Sequence, residues 1–142
     1  DVPEIAQGIS VTATVMVRVN QARFRRAILA GYEARCCISG LAVPELRIAS
    51  HIVPWSMDAK NRLNPQNGLC LSALHDRAYD IGLITVLPDC TVRVSERLLN
   101  ADLDAFTQQA LAQYNGRPIA LPERLKPNPV FLAAHASRFN FI

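Results

Sequence analysis

The chain has 142 residues, half of them apolar, and carries 15 Lys+Arg against 12 Asp+Glu for a net charge of +3. That length can bury one real core, and the apolar share excludes a disordered chain. No apolar run reaches membrane-spanning length and no basic, apolar, cleavable segment opens the chain, so the expectation is a soluble cytoplasmic protein with no membrane partner.

Residues 1–10 hold Pro3 and Gly8 with little periodicity, and read as a linker or arm. Residues 11–19, VTATVMVRV, are rich in β-branched side chains and alternate weakly, which suits a strand. Asn20 can cap a helix starting near Gln21. In that helix Phe24, Ala27, Ile28, Gly31 and Tyr32 recur at helical spacing, so one stripe faces the core and the arginines face outward. Ser39-Gly40 marks a turn, and residues 46–53 form an extended run between Pro44 and Pro54. A polar loop over 55–66 leads to a short returning strand at 69–71, then to about two helical turns over 73–81, stopped by Gly82. Residues 83–86 and 91–94 pair as a hairpin around Pro88-Asp89. Asn100 caps a helix over 101–114, the four prolines of 117–129 keep that stretch irregular, and a last helix covers 129–139. The domain plan is thus an arm over 1–19, with a strand in it, and one folded domain over 20–142 whose central motif spans about 46–82.

Cys36, Cys37, Cys70 and Cys90 make no C-x-x-C pair, so no structural zinc is expected, and buried reduced thiols suit a chain without secretory signals.

Chemistry concentrates between residues 49 and 80. His51 sits in an apolar extended run; its bland role is a hydrogen-bonded core residue, and its functional one a general base, because imidazole titrates near neutral pH. His75 opens a short helix in which Asp76 and Asp80 stand four apart on one face, a seat for a divalent cation or simply a capped, ion-paired surface beside Arg77. Asn67, before Gly68, is by default a turn residue. Lys60, Arg62 and Arg77 flank this stretch, and Arg23 and Arg26 lie in the basic first quarter. Such cations are solvated surface or phosphate contacts, and position alone does not separate the two.

Together A-S-H-I-V-P-W, N-P-Q-N-G-L-C-L and L-H-D-R-A-Y-D-I-G-L-I-T-V, preceded by Q-A-R-F-R-R and C-C-I-S-G, resemble the HNH endonucleases, in the branch found among bacterial restriction proteins. The resemblance runs from about residue 20 to 94, and implies an α+β fold with a ββα-metal core, a flanking N-terminal helix, an extra hairpin and C-terminal helices. It implies hydrolysis of DNA phosphodiesters with one divalent ion, Mg²⁺ first and Mn²⁺, Ni²⁺ or Zn²⁺ as alternatives. His51 then matches the water-activating histidine and Asn67 the asparagine that positions it. His75 falls at or beside the metal-binding position of the helix, with Asp76 close behind and Asp80 nearby. Arg23, Arg26, Lys60, Arg62 and Arg77 would meet the DNA backbone. A restriction or defence role implies a recognition or sensor domain elsewhere in a longer chain, and a homodimer would permit double-strand breaks.

Two departures matter. Ser50 stands where many members carry an acidic metal ligand, and the commoner spacing from Asn67 to the helix ligand leads to Asp76 rather than His75. They support a second reading, a nucleic-acid-binding module of the same fold whose nuclease centre has decayed. A third is an interaction domain that uses the fold as a scaffold.

Overall fold

A computed structural model describes residues 4–142, with side chains from residue 11 onward. Helix α1 spans Glu4–Gly31, strand β1 Arg47–His51 and strand β2 Gly68–Ser72. Helix α2 (Ala73–Asp80) follows β2 directly. Then come β3 (Ile84–Val86), β4 (Val92–Val94), α3 (Glu96–Leu99), α4 (Ala105–Ala110) and α5 (Pro129–Arg138). The result is an α+β domain with two separate two-stranded antiparallel sheets, β1–β2 and β3–β4, and flanking helices.

The strand expected over 11–19 is instead part of α1, which continues through Asn20 without a break. The physical reason is backbone accounting. A strand there would need a partner for its N–H and C=O groups, whereas a helix satisfies them internally. Val11, Val15 and Met16 are at least half exposed, so no sheet or core competes for them. The arm over 4–10 is helical as well, and residues 1–3 lie outside the described residues.

The second half of α1 follows the expected stripe. Phe24, Ile28 and Tyr32 are buried, one helical turn apart, and pack on the β1–β2 hairpin. Gly68 makes that approach close: any side chain there would run into Ile28 and Phe24. Ala27, by contrast, is exposed at the edge of the stripe.

The hairpin register sets His51 opposite Gly68 and Ser50 opposite Leu69. Leu69, Cys70 and Leu71 are fully buried, so β2 is a core strand, read from sequence as a short apolar run. The second hairpin pairs Ile84 with Val94 and Val86 with Val92. Its turn closes where the Leu87 N–H donates to the Thr91 carbonyl, with Cys90 in the left-handed region at φ 67°. The helix expected over 101–114 is two shorter ones. Asn100 ends α3, Asp104 caps α4, and the chain tightens into a 3-10 turn at Ala112–Tyr114. Helix α5 begins at Pro129, as expected; Asn128 caps it and the helix packs on β3. Cys36, Cys37 and Cys70 are buried free thiols, and Cys90 is half-buried.

Candidate functional site

The end of β1 and the exposed side of α2 face a cleft of about 270 Å³. His51, Ser50, Asp76 and Asp80 line it, together with Trp55 and with His135 and Arg138 of α5. Three of the site residues expected from sequence, His51, Asp76 and Asp80, therefore share one concavity.

His51 is held by three neighbours. Its ring stacks on Phe24 with centroids 3.9 Å apart, and Trp55 meets it edge-on at 5.7 Å. Its Nε2–H donates to the Arg62 carbonyl at 2.8 Å, which fixes the tautomer and leaves Nδ1 with the lone pair. No hydrogen bond to Nδ1 exists among the described residues. Partial burial lowers the His51 pKa from its ordinary value, with the Arg62 carbonyl bond opposing, which favours the neutral ring.

Asn67 is fully buried and braces the loop between β1 and β2. Its Oδ1 accepts from the Val53 N–H at 2.8 Å, while Nδ2 donates to the carbonyls of Val53 (3.1 Å) and Asn61 (3.3 Å). Both edges of one amide thus tie the chain leaving His51 to the chain approaching Arg62, whose carbonyl orients the imidazole. Asp58 caps the turn at Ala59–Asn61, and Asn64 the turn at Pro65–Asn67, so the loop carries its own local order.

Helix α2 divides its residues between two faces. Ser72 ends β2 and caps α2, accepting the His75 N–H at 3.1 Å. His75, Ala78 and Tyr79 fall at i, i+3 and i+4 and are buried; Asp76 and Asp80 lie on the cleft side. His75 was expected at a metal, and it is not in the cleft. Its Nε2–H donates to the Ala110 carbonyl at 2.7 Å and its Nδ1 accepts from the Ser72 hydroxyl at 2.6 Å, so both nitrogens are spent inside the protein. Adjacent helical residues point about 100° apart, and the core claims the histidine while Asp76 takes the open side. The carboxylate is held from β1 by the Ser50 hydroxyl, which donates to Oδ1.

The basic residues named from sequence do not line this cleft. Arg62 lays its guanidinium 5.2 Å over Trp55 and donates from Nε to the Trp55 carbonyl, a structural duty. Arg77 sits 3.8 Å from Asp80 in an exposed pair of little energetic weight. Arg23, Arg26 and Lys60 are exposed. Sequence reasoning missed Arg138, because nothing local to α5 signals that its end meets α2, more than 50 residues earlier. His135 forms the inner wall: Nε2–H donates to the Tyr79 carbonyl (2.8 Å), Nδ1 accepts from Thr85 (2.7 Å), and the ring stacks on Tyr79 at 3.6 Å. Burial drives its pKa down to about 4, the Tyr79 bond opposing and the Arg138 charge adding.

Among the described residues no three His, Cys, Asp or Glu side chains are grouped to hold a metal ion. Two carboxylates beside a hydroxyl do fit a hard cation that keeps most of its waters, since Mg²⁺ is commonly held by one or two carboxylates plus phosphate oxygens. They do not form a closed zinc site, which needs four ligands. A larger groove, about 880 Å³, separates the end of α1 from residues 118–125 and contains none of the candidate residues.

A hairpin that ends in a half-buried histidine, runs into a carboxylate-bearing helix and is braced by a buried asparagine is an arrangement consistent with the HNH, or His-Me finger, class of fold. Residues 36–87 match the HNH endonuclease family. Its structure is also similar to that of a modification dependent TagI restriction endonuclease, with a TM-score of 0.55 at 18% identity. The alignment covers 78% of this chain but only 35% of that one, and at this identity the likeness is one of fold. No curated protein matches the chain, and no described helix is long and apolar enough to cross a membrane.

Proposed function

We propose that this is an HNH-fold module that binds nucleic acid, with a phosphodiester entering the cleft between the end of β1 and α2. The family match and the cleft at the hairpin end support this reading. A fluorescence-anisotropy titration with a short DNA duplex at low salt tests it. Micromolar or tighter, salt-sensitive binding is expected, and salt-insensitive or absent binding would leave only a scaffold.

The finer reading is hydrolysis of DNA, and one observation favours it: His51 lines the cleft with Nε2–H committed to the Arg62 carbonyl and no hydrogen bond on Nδ1 among the described residues. In that role Nδ1 takes a proton from the attacking water, and Asn67 acts as a positioning residue by holding the loop that carries Arg62. Asp76, with Asp80 beside it, replaces His75 as the side chain offered to a divalent ion, and Ser50 orients it. When bound, such an ion stabilises charge on the phosphate and on the leaving oxygen. Against this reading stands the thin ligand set, which fits a decayed centre equally well. Plasmid nicking with Mg²⁺, Mn²⁺, Ni²⁺ or Zn²⁺ separates them: ion-dependent nicking that His51→Ala abolishes supports hydrolysis, and no nicking with any ion leaves the binding module.

Residues 20–142 would form the domain, with the start of α1 as its arm. The fold likeness to a restriction enzyme of nearly three times the aligned length supports a nuclease module in a longer, cytoplasmic defence protein, with target recognition elsewhere.

A further inference from the structure

The cleft contains an electrostatic difficulty. Asp76 and Asp80 line it, and an entering phosphate adds a third negative charge within a few ångströms. A divalent ion removes part of the repulsion, but it does not fix the phosphate laterally. Arg77 is occupied with Asp80, and Arg62 with Trp55. Arg138 remains. It lines the cleft, it is exposed, and it has no ion pair or hydrogen bond among the described residues.

Its position follows from α5. Phe139, just past the helix end, presses against Gly82 at the end of α2, where any side chain would collide with the ring. The Arg138 guanidinium lies over that ring, 4.7 Å from its centroid. An aromatic platform of this kind limits the side chain's freedom while leaving its planar N–H donors available for hydrogen bonds. A guanidinium can grip a phosphate with two parallel hydrogen bonds, which a point charge cannot do.

We propose that Arg138 is the phosphate anchor of this cleft, holding the non-bridging oxygens of a nucleic-acid backbone phosphate in the concavity it shares with Asp76. Arg138 lies outside the 36–87 segment matched to the family. The inference rests on the nucleic-acid reading of the same cleft.

The test is duplex binding in EDTA, followed across salt concentration, for the wild type, Arg138→Gln, Arg138→Lys and Arg124→Gln. Arg124 borders the other groove and serves as a charge control. Removing one phosphate contact is expected to lower the slope of log K against log salt by about 0.9 and to weaken binding several-fold at low salt, uniformly over sequences. Arg138→Lys should restore the slope with weaker affinity, and thermal melting shows that each variant is folded. A wild type that does not bind overturns the nucleic-acid reading itself. A wild type that binds, with Arg138→Gln unchanged or with Arg124→Gln equally impaired, overturns this inference alone.

Discussion

The histidine at the end of β1 and the two histidines in the interior differ by one hydrogen bond. All three donate Nε2–H to a backbone carbonyl: Arg62 for His51, Ala110 for His75 and Tyr79 for His135. In the interior the second nitrogen is closed by a hydroxyl, Ser72 or Thr85. At the cleft it is open. The carbonyl bond alone therefore does not set His51 apart; what does is that its other nitrogen has no hydrogen-bond partner among the described residues. The same contrast divides α2, whose inward face spends His75 on the core while its outward face offers Asp76 and Asp80.

The largest effect expected from this contrast is at His51. His51→Ala should lower ion-dependent plasmid nicking by about 10²–10⁴-fold, the usual contribution of a general base, in a variant that thermal melting shows to be folded. Because its pKa is lowered, wild-type nicking should show an acid limb below pH 6.5 and a plateau by neutrality. An unchanged rate in the variant removes His51 from the mechanism.

Asn67→Ala deletes three buried hydrogen bonds and strands the Val53 N–H with its neighbours. A loss of about 2–4 kcal/mol in urea unfolding is expected, given about 1–3 kcal/mol for each buried group left unpaired and partial relaxation. A loss below 1 kcal/mol would mean that the loop orders itself without the amide.

Acid should reach the interior next. The folded-state pKa of His135, about 4, lies below its unfolded value of 6.5. The unfolded chain therefore takes the proton first as pH falls. His135 contributes stability that is complete above pH 6.5 and is lost progressively down to about pH 4, about 3 kcal/mol at most. Urea midpoints from pH 7 to 4 measure it, and His135→Gln should flatten that slope.

The smallest effects are at the exposed arginines. Arg23→Gln and Arg26→Gln should each reduce the salt slope of duplex binding by no more than about 0.9, with no change in melting. A slope untouched by either variant leaves them as ordinary solvated surface.

Much of this was legible from residue order. Proline and glycine bounded both hairpins and α5, and the Phe24, Ile28, Tyr32 stripe announced the face of α1 that packs on β1–β2. The start of α1 was not legible: β-branched residues favour strands only where a neighbouring strand exists, and here none does. The turn of α2 was half legible. Asp76 and Asp80 share a face by spacing, and by the same arithmetic His75, Ala78 and Tyr79 share the buried one. Ser72, three residues before His75, was the missing signal, because a cap also fixes which way the first turn points. Arg138 could not have been found this way. Its place depends on α5 lying against α2, and on a bare Gly82 that lets Phe139 close in.

Side-by-side nicking rates of Asp76→Ala and His75→Ala, with the same ion and below both melting temperatures, test the division of α2 most directly. The account predicts that Asp76→Ala loses at least 10²-fold while His75→Ala, though less stable, keeps its rate within a few-fold. Loss in His75→Ala with retention in Asp76→Ala would contradict it.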